Sequence, residues 1–197
     1  MASSKRKVLA AAAVALLLVV WVAAAEGGEP SPAAVERARE AADALGAELM
    51  RTLLQEMADG GPMGAVKICS EKAQAIAAAH STDGLTVRRV SLKARNPKDI
   101  PDDYERRVLE KLEAGLRAGE DLPAESVEEV VEDGSRRLRY MRPLVIRKPC
   151  LRCHGDPETI DPEVRRLIAE RYPDDQAVGY REGDLRGAVS VVVELDR

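Results

Sequence analysis

The sequence predicts an α+β fold, with helices and an antiparallel sheet in a single domain. Three observations support this prediction. Apolar residues in the first part of the chain recur at steps of three and four, as they do in amphipathic helices. Later, two predicted strands over residues 127–132 and 136–146 flank Asp133-Gly134, which is the strongest short hairpin signal. The chain also lacks the strand–helix–strand rhythm that a parallel sheet requires.

The first 25 residues have the pattern of an export signal. Lys5 to Lys7 form a basic start, residues 8–22 are apolar, and Ala23 to Ala25 resemble a small-residue cleavage site. An uncleaved membrane anchor is the alternative, because the apolar run approaches the length that spans a bilayer. We therefore expect a signal segment over 1–25 and one periplasmic domain over 26–197. The protein would be attached to the membrane only if the signal segment is retained.

The mature domain is predicted to be acidic. Loss of the three basic residues of the signal changes the formal net charge from −4 to −7. This charge argues against a nucleic-acid partner. Trp21 would leave with the signal, so that four tyrosines would supply all the aromatic rings of the mature domain.

Two helices are predicted at the start of the domain. Ser31-Pro32 supplies an N-cap residue and a proline at the first helical position, and Gly60-Gly61 ends this first helix. A second helix is predicted from Pro62 to His80. Its apolar stripe consists of Ala65, Val66, Cys69, Ala73, Ile76 and Ala77.

The remaining elements follow in chain order. Asp102 and Glu105 form a capping-box pattern that opens a third helix, which ends near Gly119. The other predicted segments are a strand over 86–92, a polar loop over 93–102, hairpin strands over 127–132 and 136–146, a helix over 162–172 and a final strand over 187–195.

The segment Cys150-Leu151-Arg152-Cys153-His154, expected in a loop after the hairpin, carries the clearest chemistry. Cys-x-x-Cys-His is the attachment site of c-type haem, in which both thiols bind vinyl groups and the histidine becomes the proximal iron ligand. A redox dithiol would need a βαβ setting, and a zinc site would need Cys69 and His80 as further ligands. We therefore predict one covalent haem c, with thioethers at Cys150 and Cys153 and iron ligation by His154.

The spacing does not determine the ligand on the opposite face of the iron. Cys69 lies on an apolar face among small residues and would be the unpaired cysteine, but an inert buried cysteine explains this pattern equally well. His80 lies at a helix end, where capping is the default role. The methionines of the mature chain are further candidates, although packing is their default role: Met50, Met57, Met63 and Met141.

Several motifs occur in a fixed order along the chain. They are Ala65-Val66-x-x-Cys69-Ser70, residues 88–97, Pro101-Asp102, Arg142-Pro143-Leu144, the haem motif and residues 183–190. Together they resemble a bacterial and cyanobacterial family of exported c-haem proteins with a PAS-like sensor fold, long catalogued as a domain of unknown function. The resemblance implies a PAS-like antiparallel sheet with N-terminal helices, and axial ligation by His154 and Cys69. Tyr104 stands where the family often has tryptophan.

The expected function is redox or small-ligand sensing. A low-potential electron-transfer cytochrome is the alternative, because a thiolate ligand lowers the reduction potential. Catalysis such as peroxidase activity is a third alternative, which we do not favour because a six-coordinate iron leaves no open site and the sequence shows no separate acid–base constellation. Arg89 and Arg95 are candidate contacts for the haem propionates, since arginine binds carboxylates bidentately. The expected partners are a redox or signalling protein and, for a sensor, a diatomic gas.

Overall fold

The computed structural model describes residues 29–196, without the side chains of residues 68–70. The predicted signal segment over 1–25 lies outside the described residues, so its cleavage and the domain boundary at residue 26 stay predictions. Within residues 29–196, none of the helices is both long and apolar enough to cross a membrane.

Five α-helices and four strands make up the described part of the chain. The helices are α1 (Pro32–Glu71), α2 (Ala73–Ala79), α3 (Asp103–Arg117), α4 (Leu151–His154) and α5 (Pro162–Arg171). The strands are β1 (Leu85–Val90), β2 (Ser126–Glu132), β3 (Ser135–Val145) and β4 (Leu185–Glu194). They form one antiparallel sheet in the order β1-β4-β3-β2. The predicted α+β class is therefore confirmed.

The sheet is the middle of three layers. Tyr140 on β3 is fully buried with Leu45 of α1, whereas the next residue, Met141, is buried with Leu109 of α3. Successive side chains of a strand point to opposite faces of the sheet, so α1 and α3 cover opposite faces. The domain therefore has an apolar core on each side of the sheet.

Two local signals are confirmed in detail. At the hairpin, Asp133 and Gly134 have φ values of 53° and 78°, as the turn type that suits a two-residue hairpin requires. At the start of α3, the Glu105 amide donates to the Asp102 carboxylate, and the Asp102 amide donates to the Glu105 carboxylate, both at 2.8 Å. This reciprocal pair is the predicted capping box.

α1 is interrupted at Gly61, as predicted. This residue has φ 60° and ψ −159°, far from helical values, and Pro62 begins the next helical segment. The prediction of one helix over 62–80 was wrong, because the chain leaves the helix at Lys72 and resumes as α2. Val66, before the break at Lys72, packs against α5, whereas Ala77, after the break, packs against the sheet. The helical segments on the two sides of Lys72 therefore pack against different parts of the domain.

Three connections meet at one end of the sheet. Val90, the last residue of β1, pairs with Ala188 near the start of β4, and Val145 at the end of β3 pairs with Leu185. β4 approaches β1 so closely that a Cβ on Gly187 would collide with the Val90 carbonyl oxygen. The segments that follow β1, follow β3 and precede β4 therefore lie together.

Candidate functional site

The Cys-x-x-Cys-His motif lies at this end of the sheet and is helical, so the predicted loop was wrong. Lys148–Cys150 form a 3₁₀ turn, which continues directly into the single turn of α4. Pro149 is the second residue of this turn, and its fixed φ suits the first helical positions. Residues three apart lie on the same side of such a turn, so the fold brings Cys150 and Cys153 to one side.

The His154 ring is held by the segment that precedes β4. Its Nδ1 lies 2.7 Å from the Ala177 carbonyl oxygen, so Nδ1 carries the proton and donates it to that oxygen. The Tyr180 ring meets the imidazole edge-on, with centroids 6.3 Å apart and planes at 87°. The Tyr180 amide also donates to the His154 carbonyl at 3.0 Å. With Nδ1 occupied, Nε2 is the nitrogen that can bind a metal.

The surroundings keep this imidazole neutral. Burial lowers the pKa of His154 well below its usual range, and the positive charges of Arg95 and Arg186 lower it further. The hydrogen bond to Ala177 opposes these effects without cancelling them. A neutral imidazole is the form of histidine that binds metals. The position is therefore prepared for a metal ligand at neutral pH.

Arg95 connects the motif to the loop that holds His154. Its Nη2 donates to the Cys153 carbonyl at 2.7 Å and to the Ala177 carbonyl at 3.2 Å. The guanidinium also forms an ion pair with Asp175 at 3.0 Å, and both side chains are more than nine-tenths buried. The Asp175 carboxylate accepts the Ala177 amide at 2.8 Å, which completes the network.

The two motif cysteines contribute to different apolar clusters. Cys150 is a half-buried free thiol packed with Ile146, Ala177 and Tyr180. Cys153 packs with Val66 of α1 and with apolar residues of α5 and the loop before it. The motif therefore lies between the loop that holds His154 and the part of α1 that follows Gly61.

A family model described as Tll0287-like matches residues 27–194, which is most of the chain. The chain belongs to the Tll0287-like family. Among solved structures, the crystal structure of the cyanobacterial heme-protein Tll0287 has the same fold, with a TM-score of 0.61 and 24% identity over 85% of this chain and 98% of that chain. No curated protein matches the sequence. The resemblance drawn from the ordered motifs is thus confirmed, together with the PAS-like fold.

In this Tll0287-like chain, Cys69 lies in the part of α1 that packs toward the motif. Val66, one helical turn earlier, is 3% exposed and shares a cluster with Cys153. Ala73, about one turn later, is buried at the start of α2. The side chain of Cys69 lies outside the described residues, so ligation of iron by Cys69 stays a prediction.

The alternative ligands have other surroundings. His80 Nε2 lies 2.7 Å from a Glu48 carboxylate oxygen, at the end of α2. Met141 is fully buried in the core between the sheet and α3, and Met50 is half exposed. Met63 differs, because it packs in the same cluster as Cys153 and therefore stays a candidate.

The two arginines proposed for the propionates already have protein partners. Arg89 Nη2 lies 3.6 Å from a carboxylate oxygen of Asp99. Arg95 uses Nε and Nη2 on Asp175 and on backbone carbonyls, so a propionate would have to approach its Nη1. Both propionate contacts stay predictions.

Sequence reasoning missed the residues that hold the histidine. The oxygen that accepts from His154 is the backbone carbonyl of Ala177, and a backbone acceptor leaves no mark on residue type. Lys93 donates to the Val178 carbonyl at 2.8 Å and lies 4.5 Å from the centroid of the Tyr180 ring. Among the described residues that surround His154, only Arg95 and Asp175 form a pair of opposite charges that could have been matched from the sequence.

A cleft of about 440 Å³ opens beside the Arg95 network, between the loop after β1 and the segment after α5. Its floor is mostly apolar, and the Gln176 amide donates to the Ala94 carbonyl at 3.2 Å where the two segments meet. The residues that line the cleft include Leu92, Ala94, Arg95, Tyr172 and Gln176. A small molecule in this cleft would contact Arg95, whose guanidinium donates to the Ala177 carbonyl that holds His154.

Proposed function

We propose that this Tll0287-like domain carries one haem c, joined to Cys150 and Cys153 and bound through its iron by His154. The donor set fits this group, because Cys150 and Cys153 are three residues apart on a helical turn and the next residue, His154, is a neutral imidazole whose Nε2 is left to bind a metal. The hydrogen bond from His154 Nδ1 to the Ala177 carbonyl carries the proposal. Metal-bound histidines in proteins almost always donate their second nitrogen in this way.

The proposed ligand on the opposite face of the iron is Cys69. The packing of Val66 with Cys153 supports it, since Cys69 follows one turn later on the same helical segment. When bound, the haem would supply an iron that changes oxidation state. A thiolate from Cys69 would favour the ferric state and give a low reduction potential.

The function we favour is redox or small-ligand sensing in the periplasm. The segment of α1 after Gly61 is bounded by a break at each end, at Gly61 and at Lys72. Such a segment can shift without unwinding either neighbouring helix when its link to the motif is lost. A diatomic gas that replaced Cys69 would release this segment, and a separate signalling protein would detect the change.

Low-potential electron transfer is the second candidate. Arg147, Lys148 and Arg152 are exposed around the motif, whereas the protein as a whole is acidic. A positive patch beside the redox group would steer an acidic redox partner toward it.

Cys69→Ala, with Met63→Ala as its matched control, tests the ligand. Both residues belong to the same segment of α1, and Met63 packs in the cluster that contains Cys153. We expect the ferric wild type to be six-coordinate and low-spin with a thiolate signature in its absorption and EPR spectra. Cys69→Ala should abolish that signature and Met63→Ala should preserve it. An unchanged spectrum in Cys69→Ala would show that Cys69 is not the ligand.

Exposure of the reduced protein to CO and NO separates the two functions. Rapid binding with loss of the thiolate signature supports sensing. Refusal of both gases, together with reversible reduction at a single potential, supports electron transfer.

A further inference from the structure

One carbonyl oxygen at the site serves two donors. The Ala177 oxygen accepts from His154 Nδ1 at 2.7 Å and from Arg95 Nη2 at 3.2 Å. A carbonyl oxygen has two lone pairs, so both bonds can form together. The guanidinium withdraws electron density from this oxygen, which makes the oxygen a weaker acceptor for the imidazole N–H. His154 therefore remains closer to a neutral imidazole than to an imidazolate.

The Arg95–Asp175 pair fixes the position of that carbonyl. Asp175 Oδ1 accepts Arg95 Nε at 3.1 Å and the Ala177 amide at 2.8 Å. Arg95 Nη2 reaches across to the Cys153 carbonyl at 2.7 Å. The pair thus joins the turn that bears His154 to the loop that orients it, and both ends of the connection are charged and buried.

We infer that Arg95 and Asp175 are positioning residues with opposite effects on the reduction potential of the haem, Arg95 raising it and Asp175 lowering it. This inference rests on the proposed haem ligation by His154. The positive charge of Arg95 disfavours the additional charge of ferric iron, and its bond to Ala177 limits electron donation by the imidazole. The carboxylate of Asp175 partly neutralises both effects. Removing either partner alone therefore shifts the reduction potential.

The test is a potentiometric titration of the haem-loaded protein in four variants. Arg95→Gln should lower the potential and Asp175→Asn should raise it. Each shift should be about tenfold in the ferric-to-ferrous ratio at fixed ambient potential, on the order of 59 mV for a one-electron couple. Arg95→Lys retains the charge and should lie nearest to the wild type. Arg139→Gln is the matched control, because Arg139 is equally buried and paired with Asp102 but contacts α3 and β2.

A purely structural network predicts another outcome. Loosening the loop would admit water in both single variants and would shift both potentials in the same direction, which would overturn the inference. If Arg95→Gln does not fold, Asp175→Asn decides alone, and a potential equal to or below that of the wild type contradicts the inference. A wild-type protein whose mass shows no haem would refute the proposed function itself. Equal potentials in haem-loaded variants would instead refute only the inference about Arg95 and Asp175.

Discussion

Gly61→Ala is the substitution that tests most sharply how α1 reaches the motif. Beyond its own stretch of helix, no atom of the described residues lies within 4 Å of the Cβ that an alanine would add, so the substitution causes no collision with them. Its cost comes from the backbone, because φ 60° with ψ −159° belongs to a region that essentially only glycine occupies. We expect a loss of about 1–3 kcal/mol in the free energy of unfolding.

Gly60→Ala is the matched control. Gly60 is helical, and the space around its own missing Cβ is equally open. Alanine is preferred to glycine in a helix by about 0.5–1 kcal/mol, so this neighbour should be neutral or slightly stabilised. Urea unfolding of both variants measures the difference in their free energies of unfolding, provided that the dependence of this free energy on urea concentration is the same in both. Equal stabilities would show that the break at Gly61 is not required. A loss in Gly61→Ala accompanied by an altered ferric spectrum would show that the break also sets the position of the Cys69 segment.

Two further predictions concern residues away from the motif. His80→Ala should leave the ferric spectrum unchanged because His80 pairs with Glu48, and a lost ligand signature in the absorption spectrum would contradict this. Burial would by itself raise the pKa of Asp102, but hydrogen bonds from the Glu105 amide and the Arg139 guanidinium hold this pKa below its usual range. A carboxylate whose pKa is lowered by folding stabilises the fold at any pH above its pKa in the unfolded chain, which is about 3.9 for aspartate. This contribution is lost as the pH falls through the lower pKa of the folded state. Asp102→Asn should therefore unfold at lower urea than the wild type at pH 7 and at a similar concentration near pH 2, and an equal deficit at both pH values would refute the reasoning.

Most of the fold follows from local signals in the sequence. The capping box at Asp102, the turn at Asp133-Gly134 and the break at Gly61 each depend on the chemistry of a few neighbouring residues, and the structure places each where it was expected. The helix over 62–80 was mispredicted because its break at Lys72 depends on which layer each half packs against. That choice is tertiary, and the apolar stripe alone does not record it.

The reactive groups of the candidate site could be predicted from the sequence, but the residues that hold them in position could not. Cys150, Cys153 and His154 follow from one spacing rule, whereas the Ala177 carbonyl that orients the imidazole is a backbone atom from a distant loop. Arg95 was expected near the haem because of its charge, but its described contacts join two backbone segments. Residue type could not reveal that geometry, since it depends on the meeting of three connections at one end of the sheet.

We propose above that the chain binds one haem covalently through Cys150 and Cys153, with His154 on the iron. The most direct measurement is the intact mass of the protein produced together with haem-attachment machinery, read beside the double variant Cys150→Ala/Cys153→Ala. We expect the wild-type polypeptide to carry the added mass of one haem under denaturing conditions and the double variant to carry none. A wild-type mass equal to that of the bare polypeptide would contradict the claim.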